Sequence, residues 1–210
     1  MKGHQEVHTV LFDADGVLQW PASGWLEVWE PFAGGDLETF VADMFHAEKA
    51  SLEGRERVHD GVTRYLAERG LDVGAVDEIV KAWAMIELFG ESFELIAAIR
   101  AAGVRCHLAT NQQSFRRDIM LDLGYADHFD ELFFSCDLGV AKPDPRYFEA
   151  ILDRLGHGPE GVVFIDDRLD NVEAARSVGI DAHPHDHHDS ADQGVGDLRA
   201  LLRRVGVPGV

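Results

Sequence analysis

Two aspartates separated by one residue follow the first apolar run of the chain. Asp13 and Asp15 come directly after residues 7–12, and Gly16 follows them. If the extended geometry persists, both side chains project to the same side. There they could share a divalent cation, or one could attack while the other transfers protons. The same residues also suit an Asp-rich turn that closes a strand, so this pair alone does not decide between the two.

Polar residues also follow three later apolar runs. Thr110 and Asn111 offer a hydroxyl and backbone N–H groups that could cradle a phosphate. Lys142, fixed by the proline after it, could neutralise phosphate charge. Asp166 and Asp167 are adjacent carboxylates whose repulsion a bound cation would relieve. Each of these three motifs is also compatible with a purely structural role, as a helix cap or as a surface lysine before a helix.

The elements that must position these residues alternate along the chain. Apolar runs rich in Val, Ile, Leu and Phe predict five strands, and amphipathic segments, each followed by a glycine, predict helices. The strands are expected at 7–12, 104–109, 131–135, 162–165 and 180–183, and the helices at 92–102, 115–123, 145–155 and 169–178. This order predicts an α/β fold: a Rossmann-like, mainly parallel five-stranded sheet flanked by helices, with its site at the carboxyl ends of the strands.

The long stretch between the first two strands interrupts this alternation. It predicts helices at 37–52, 58–69 and 75–89 and shows no clear strand. We therefore expect a discontinuous catalytic core of residues 1–16 and 91–210. Residues 17–90 are expected to form an all-helical cap inserted after the first strand.

The four polar motifs, in this order and each at a strand end, resemble those of the haloacid dehalogenase-like hydrolase superfamily. The resemblance extends from residue 7 to about residue 184. Residues 135–143 and 164–176 resemble the branch with a small helical cap. Within that branch the chain is most similar to sugar 1-phosphate phosphatases and to the phosphatase domain of soluble epoxide hydrolases.

The resemblance implies a Mg²⁺-dependent phosphatase that hydrolyses a small phosphate monoester, for example a sugar phosphate, through an aspartyl-phosphate intermediate. Asp13 would be the nucleophile, and Asp15 would be the acid and then the base. Thr110, Asn111 and Lys142 would bind the phosphoryl oxygens. Magnesium would be bound by a carboxylate oxygen of Asp13, the backbone carbonyl of Asp15, Asp167 directly, and Asp166 directly or through water.

The sequence bears differently on three alternative functions. Dehalogenases of the superfamily lack the second aspartate, so Asp15 favours phosphate chemistry. A phosphosugar mutase is weakened, because mutases of this branch usually carry a histidine soon after the first motif and none occurs between His8 and His46. A catalytically silent binding or regulatory module stays open, although all four motif positions hold competent residues.

Several residues outside the motifs are weaker candidates. Trp20 and Trp25, together with Glu53 and Arg55 in a turn of the inserted segment, are the best candidates for substrate contact. The histidines of residues 183–188 have spacing that could bind a transition metal. A solvated loop followed by a polar tail is favoured, because no cysteine or helical histidine pair completes a site.

The amino-acid composition makes some classes of binding partner unfavourable. The formal net charge of −19, without any basic run, argues against binding to nucleic acid or to an anionic membrane surface. Cys106 and Cys136 lie in mainly apolar segments and are expected to be buried free thiols. A cytoplasmic protein is expected, and the sequence does not decide between a monomer and a homodimer.

Overall fold

A five-stranded parallel sheet forms the centre of the computed structural model, which describes residues 6–185 and 194–210. The strands are β1 (Thr9–Phe12), β4 (Arg105–Thr110), β5 (Glu131–Phe134), β6 (Val162–Asp166) and β7 (Asp181–Pro184). Their order across the sheet is β5-β4-β1-β6-β7, and every neighbouring pair is parallel. The expected sheet is therefore confirmed, with every strand bound within two residues of the predicted one.

Helices cover both faces of this sheet. They are α4 (Gly90–Ala101), α5 (Ser114–Asp122), α6 (Tyr125–His128), α7 (Ser135–Leu138), α8 (Pro145–Leu155), α9 (Leu169–Ser177) and α10 (Gly194–Arg204). Alternate residues of β1 pack into different apolar clusters: Val10 and Phe12 into one, Leu11 into the other. Helix α10 corrects the expectation of a polar tail, because Leu198 and Leu202 complete the first cluster.

Residues 17–90, called the insertion below, are mainly helical, but two short strands correct the expectation that they are all-helical. The insertion contains α1 (Leu37–Glu48), α2 (Val58–Glu68) and α3 (Val76–Val80), and it has its own apolar cluster around Trp29. The prediction of one helix over 75–89 is wrong. After α3 the chain forms a 3₁₀ turn, Lys81–Ala84, and then strand β3 (Ile86–Leu88), which pairs antiparallel with β2 (Gln19–Pro21). This pairing joins segments far apart in sequence, which local periodicity does not report.

The cysteines agree only in part with expectation. Cys106 and Cys136 are both free thiols and Cys106 is buried, but Cys136 is half-buried. No helix within residues 6–185 and 194–210 combines the length and the apolar character that crossing a membrane requires. In the histidine segment, His183 Nε2 lies 2.9 Å from Asp181 Oδ1, whereas His187 and His188 lie outside the described residues.

Candidate active site

The carboxyl edge of the sheet brings the four motifs together. Asp13 follows β1, Thr110 and Asp166 end β4 and β6, and Lys142 lies in the loop before α8. Residues Asp13, Thr110, Lys142 and Asp166 are all buried. The central position of β1, between β4 and β6, explains why residues distant in sequence converge beside Asp13.

Lys142 is the cation at the centre of this arrangement. Its Nζ lies 2.9 Å from Asp13 Oδ1 and 2.6 Å from Asp166 Oδ2, and it donates to the carbonyl oxygen of Ala109 at 2.8 Å. Burial disfavours the ammonium, but the charges of Asp13 and Asp166 outweigh it and raise the pKa of Lys142. Lys142 is therefore charged and fixed between two carboxylates.

Asp13 is a buried carboxyl whose negative charge is poorly stabilised by solvent. Burial raises the pKa of Asp13 from 3.8 to about 7; Lys142 opposes this shift, and the charges of Asp166 and Asp15 add to it. A group with this pKa needs additional positive charge to be a fully ionised nucleophile at neutral pH. A divalent cation bound beside it would supply that charge.

Three carboxylates are close enough to bind one cation. One oxygen each from Asp13, Asp166 and Asp167 lies within 4.8 Å of the others, and carboxylate oxygens are the preferred ligands of hard divalent ions. Asp166 is also hydrogen-bonded, since its Oδ1 accepts from the backbone N–H of Arg168 at 2.8 Å and from Asn171 Nδ2 at 2.9 Å. Its orientation is therefore set by the protein itself.

Gly16 lets the turn after β1 approach the third of these carboxylates. The residue has a φ of +80°, and a Cβ added there would lie 2.7 Å from Cγ of Asp167. A side chain at this position would both strain the backbone and displace Asp167. The glycine of the first motif thus has a specific steric role.

The carboxylate of Asp15 is bound by three donors instead of joining the cation cluster. Arg116 Nη2 donates to its Oδ1 at 2.7 Å and Gln19 Nε2 at 3.0 Å, while Gln112 Nε2 donates to its Oδ2 at 2.7 Å. Tyr125 supports Gln19 through a 2.6 Å hydrogen bond to its side-chain oxygen. The Asp15 side chain therefore lies outside the cation cluster, and ligation of a metal by its backbone carbonyl stays a prediction.

Thr110 and Asn111, two of the three residues predicted to bind phosphate, have different surroundings. Thr110 Oγ1 lies beside the site and accepts from Gln112 Nε2 at 3.2 Å. The side chain of Asn111 bonds both backbone groups of Lys142, donating to its carbonyl at 2.8 Å and accepting from its N–H at 2.9 Å. Asn111 therefore fixes the lysine loop with its side chain, and only its backbone is left for the predicted phosphate contact.

Sequence reasoning missed four polar residues around Asp15. Gln19, Gln112 and Arg116 bond it directly, and Glu48 of the insertion has a buried carboxyl influenced by the charges of Arg116 and Asp15. The polar run of residues 111–117 after β4 was a usable signal, because it lies at the carboxyl edge of the sheet. Nothing in the local pattern around Glu48 indicated its burial.

The predicted substrate contacts of the insertion are dispersed. Trp25 lines a narrow pocket with Phe45, Trp83 and Arg116. Arg55 pairs with Glu53 and lines a separate cavity of about 530 Å³ between α1 and α2. Trp20 lies in β2, half-buried. The structure thus brings Trp25 next to a residue that bonds Asp15, and substrate contact by all four residues stays a prediction.

Comparison with known proteins identifies the family. The model of the haloacid dehalogenase-like hydrolases matches residues 7–179. The chain therefore belongs to the haloacid dehalogenase-like hydrolase family, as its motifs indicated.

Individual relatives agree with this placement. A phosphoserine phosphatase of Thermus thermophilus is 33% identical over 55% of this chain and 50% of its own length. Phosphatase MT3486 of Mycobacterium tuberculosis is 27% identical over 93% and 95% of the two chains. The chain spans only 20%, 50% and 16% of the lengths of three curated relatives that it matches.

A solved structure shows the same fold. A HAD family enzyme of Bacteroides thetaiotaomicron, crystallised with magnesium and inorganic phosphate, superposes with a TM-score of 0.70 at 21% identity. The match covers 85% of this chain and 94% of that one.

Proposed function

We propose that this hydrolase is a Mg²⁺-dependent phosphatase acting on a small phosphate monoester through an aspartyl-phosphate intermediate. The observation that carries the proposal is the convergence of Asp13, Lys142, Asp166 and Asp167 at one sheet edge. The phosphatase names of two relatives and the magnesium and phosphate bound to a structural neighbour support it.

The proposed reaction has two displacements at phosphorus. A carboxylate oxygen of Asp13 attacks phosphorus while the bond to the alcohol oxygen breaks and Asp15 gives that oxygen a proton. Asp15 then takes a proton from water as the water oxygen attacks phosphorus. The bond between Asp13 and phosphorus breaks, which releases inorganic phosphate and regenerates both aspartates.

The remaining motif residues bind the phosphoryl group and the cation. Lys142 would balance negative charge beside Asp13, and Thr110 and the backbone of Asn111 would bind phosphoryl oxygens. Asp13, Asp166 and Asp167 would hold Mg²⁺ together with the backbone carbonyl of Asp15. When bound, Mg²⁺ supplies positive charge that favours ionised Asp13 and stabilises the transferring group.

The insertion is proposed to act as a cap over this edge, on a core formed by residues 1–16 and 91–210. Its separate apolar cluster and the position of Trp83 beside Arg116 support this division. A cap of this kind would exclude water from the transferring phosphoryl group and select the leaving alcohol. The natural alcohol, a sugar among the candidates, is the part of the proposal that a substrate screen must identify.

Hydrolysis of p-nitrophenyl phosphate with and without Mg²⁺ tests the proposal. Wild-type protein should require the ion, Asp13→Asn should be inactive, and Asp153→Asn, which changes an exposed aspartate of α8, should behave as wild type. Independently of turnover, Mg²⁺ should raise the Tm of wild type and not of Asp167→Asn. A protein inert under all conditions would favour the silent binding module. Isomerised sugar phosphate in place of free phosphate, formed with a bisphosphate primer, would favour the mutase.

A further inference from the structure

We propose that Arg116 is a positioning residue that orients the Asp15 carboxylate for proton transfer, and that Glu48 of the insertion in turn orients Arg116. The inference rests on the proposed function, because it concerns the acid and base of that reaction. It adds two residues, one from the core and one from the insertion, to those that the motifs identify.

The contact with Asp15 is short and shielded. Arg116 Nη2 lies 2.7 Å from Asp15 Oδ1, and its side chain is only 11% exposed. Of the three donors to Asp15, Gln19 and Gln112 are neutral, so within the described part of the chain Arg116 is the charged partner in hydrogen-bonding contact. A charge-assisted bond of this length constrains a carboxylate more strongly than a neutral amide does.

The backbone of Arg116 is also fixed. The residue lies in the first turn of α5, where its N–H donates to the side chain of the capping residue Gln113 at 3.0 Å. Its guanidinium borders the pocket lined by Trp25, Phe45 and Trp83. Apolar rings on this side reduce competition from water, which strengthens the interaction with Asp15.

Glu48 approaches Arg116 from the insertion. Its side chain ends α1 and the residue is 9% exposed, and Arg116 is the neighbouring charge that most favours its ionised form. Within the described residues, Glu48 Oε2 and Arg116 Nε are both buried and have no hydrogen-bond partner. Each side chain thus has an unused buried polar atom at the boundary between core and insertion, and the charge of Arg116 acts on Glu48 without a direct ion pair between them.

This arrangement has a kinetic consequence. Proton transfer to a leaving oxygen needs the acid at a defined place, and a small misplacement lowers the rate strongly. An alkoxide leaving group depends on that proton, whereas p-nitrophenolate departs readily without it. Loss of Arg116 should therefore affect esters of ordinary alcohols more than p-nitrophenyl phosphate.

The experiment compares kcat/KM for glycerol phosphate and p-nitrophenyl phosphate, because this constant reports the steps through departure of the alcohol. Arg116→Gln should lower it at least about tenfold more for glycerol phosphate, with the larger change in kcat rather than in KM. Arg116→Lys should recover part of the loss, since lysine retains the positive charge but lacks the planar set of N–H donors of the guanidinium. Glu48→Gln should also lower kcat/KM more for glycerol phosphate than for p-nitrophenyl phosphate, but by a smaller factor. Glu38→Gln, a change of an exposed residue on the same helix, should leave kcat/KM for both esters unchanged.

A double variant separates positioning from direct phosphate binding. If Arg116 acts through Asp15, Arg116→Gln should cause no further loss in an Asp15→Asn protein. A further loss in that background, or equal losses on the two esters in the single variant, would overturn the inference. Urea denaturation of each variant checks folding, and if Arg116→Gln does not fold, Arg116→Lys and Glu48→Gln must show the selective loss.

The outcomes also separate the inference from the function on which it rests. A wild-type protein that hydrolyses neither ester contradicts the proposed function. A wild-type protein that hydrolyses both, with variants that lose no selectivity, contradicts the inference alone.

Discussion

Lys142 and Asp13 form an ion pair of 2.9 Å that is almost wholly buried. The same ammonium lies 2.6 Å from Asp166, so one cation balances two carboxylates that project from different strands. This relationship makes Lys142 a structural centre of the edge as well as a candidate ligand of phosphate.

Replacement of Lys142 should therefore affect stability as well as activity. Lys142→Met leaves two buried carboxylates without their shared cation, and we expect the free energy of unfolding to fall by about 3–5 kcal/mol and hydrolysis to be lost. Urea denaturation at pH 7 without Mg²⁺ measures the first effect. Lys49→Met, a change of an exposed lysine after α1, is the control. Equal stabilities of wild type and Lys142→Met would contradict the role assigned to the ion pair.

Gly16→Ala should disturb the cation cluster. The added Cβ would meet Asp167, so we expect weaker Mg²⁺ stabilisation and a large loss of activity beyond the cost of the positive φ. Gly34→Ala is a matched control, because Gly34 has a φ of +60° and open space around its Cβ position. The measurement is the increase of Tm on addition of Mg²⁺ in both variants. The same increase in Gly16→Ala and Gly34→Ala would show that the close approach has no functional role.

Glu48 should give the protein a specific dependence of stability on pH. Burial raises its pKa from 4.5 to about 8; Arg116 opposes this shift and Asp15 adds to it. Between these values the folded protein keeps a proton that the unfolded chain has released. The contribution of Glu48 to the free energy of unfolding therefore falls as pH rises from about 4.5 to about 8, by an amount on the order of a few kcal/mol, and is constant above that range.

Urea denaturation of wild type and Glu48→Gln between pH 5 and pH 8.5 checks this sign. Wild-type stability minus that of Glu48→Gln should decrease with rising pH, while Glu38→Gln should follow wild type throughout. Parallel curves for wild type and Glu48→Gln would exclude a strongly raised pKa.

The turn of the insertion that carries Glu53 and Arg55 should be sensitive at Gly54. A Cβ at Gly54 would overlap the carbonyl oxygen of Cys136 in α7, so Gly54→Ala should push this turn away from the core. We expect a higher KM and a lower Tm than in Gly70→Ala. Gly70 has nearly the same φ, +66° against +67°, and open space around it. Steady-state kinetics and thermal unfolding measure the difference, and indistinguishable variants would contradict the contact.

The positions of the strands along the chain and the convergence of their polar ends could be predicted, because both follow from local patterns in a parallel sheet; the spatial order of the strands was not predicted. Asp13, Thr110 and Asp166 each follow an apolar run, and parallel strands place such ends at one edge. Helix α8, Pro145–Leu155, was predicted with its bounds because a proline starts it and a glycine ends it.

The environment of Asp15 could not be predicted in this way. Gln112 and Arg116 reach it from 97 and 101 residues away, and Glu48 approaches from an element with no fixed register to the sheet. Strand β3 was likewise missed, because three residues, Ile86–Leu88, are too few to show a strand period. These features depend on packing between distant segments, which a single sequence does not encode locally.

The short ribbon of β2 and β3 brings the two ends of a segment of roughly seventy residues side by side, about 5 Å apart in the hydrogen-bonding direction. Phe89 then donates its backbone N–H to the carbonyl of Leu18 at 2.9 Å, directly beside the turn that follows Asp13. The chain thus leaves the neighbourhood of Asp13 and returns to it at a single junction. Because that junction is closed by backbone hydrogen bonds, the segment between its two ends could be longer or shorter without altering the register of the parallel strands.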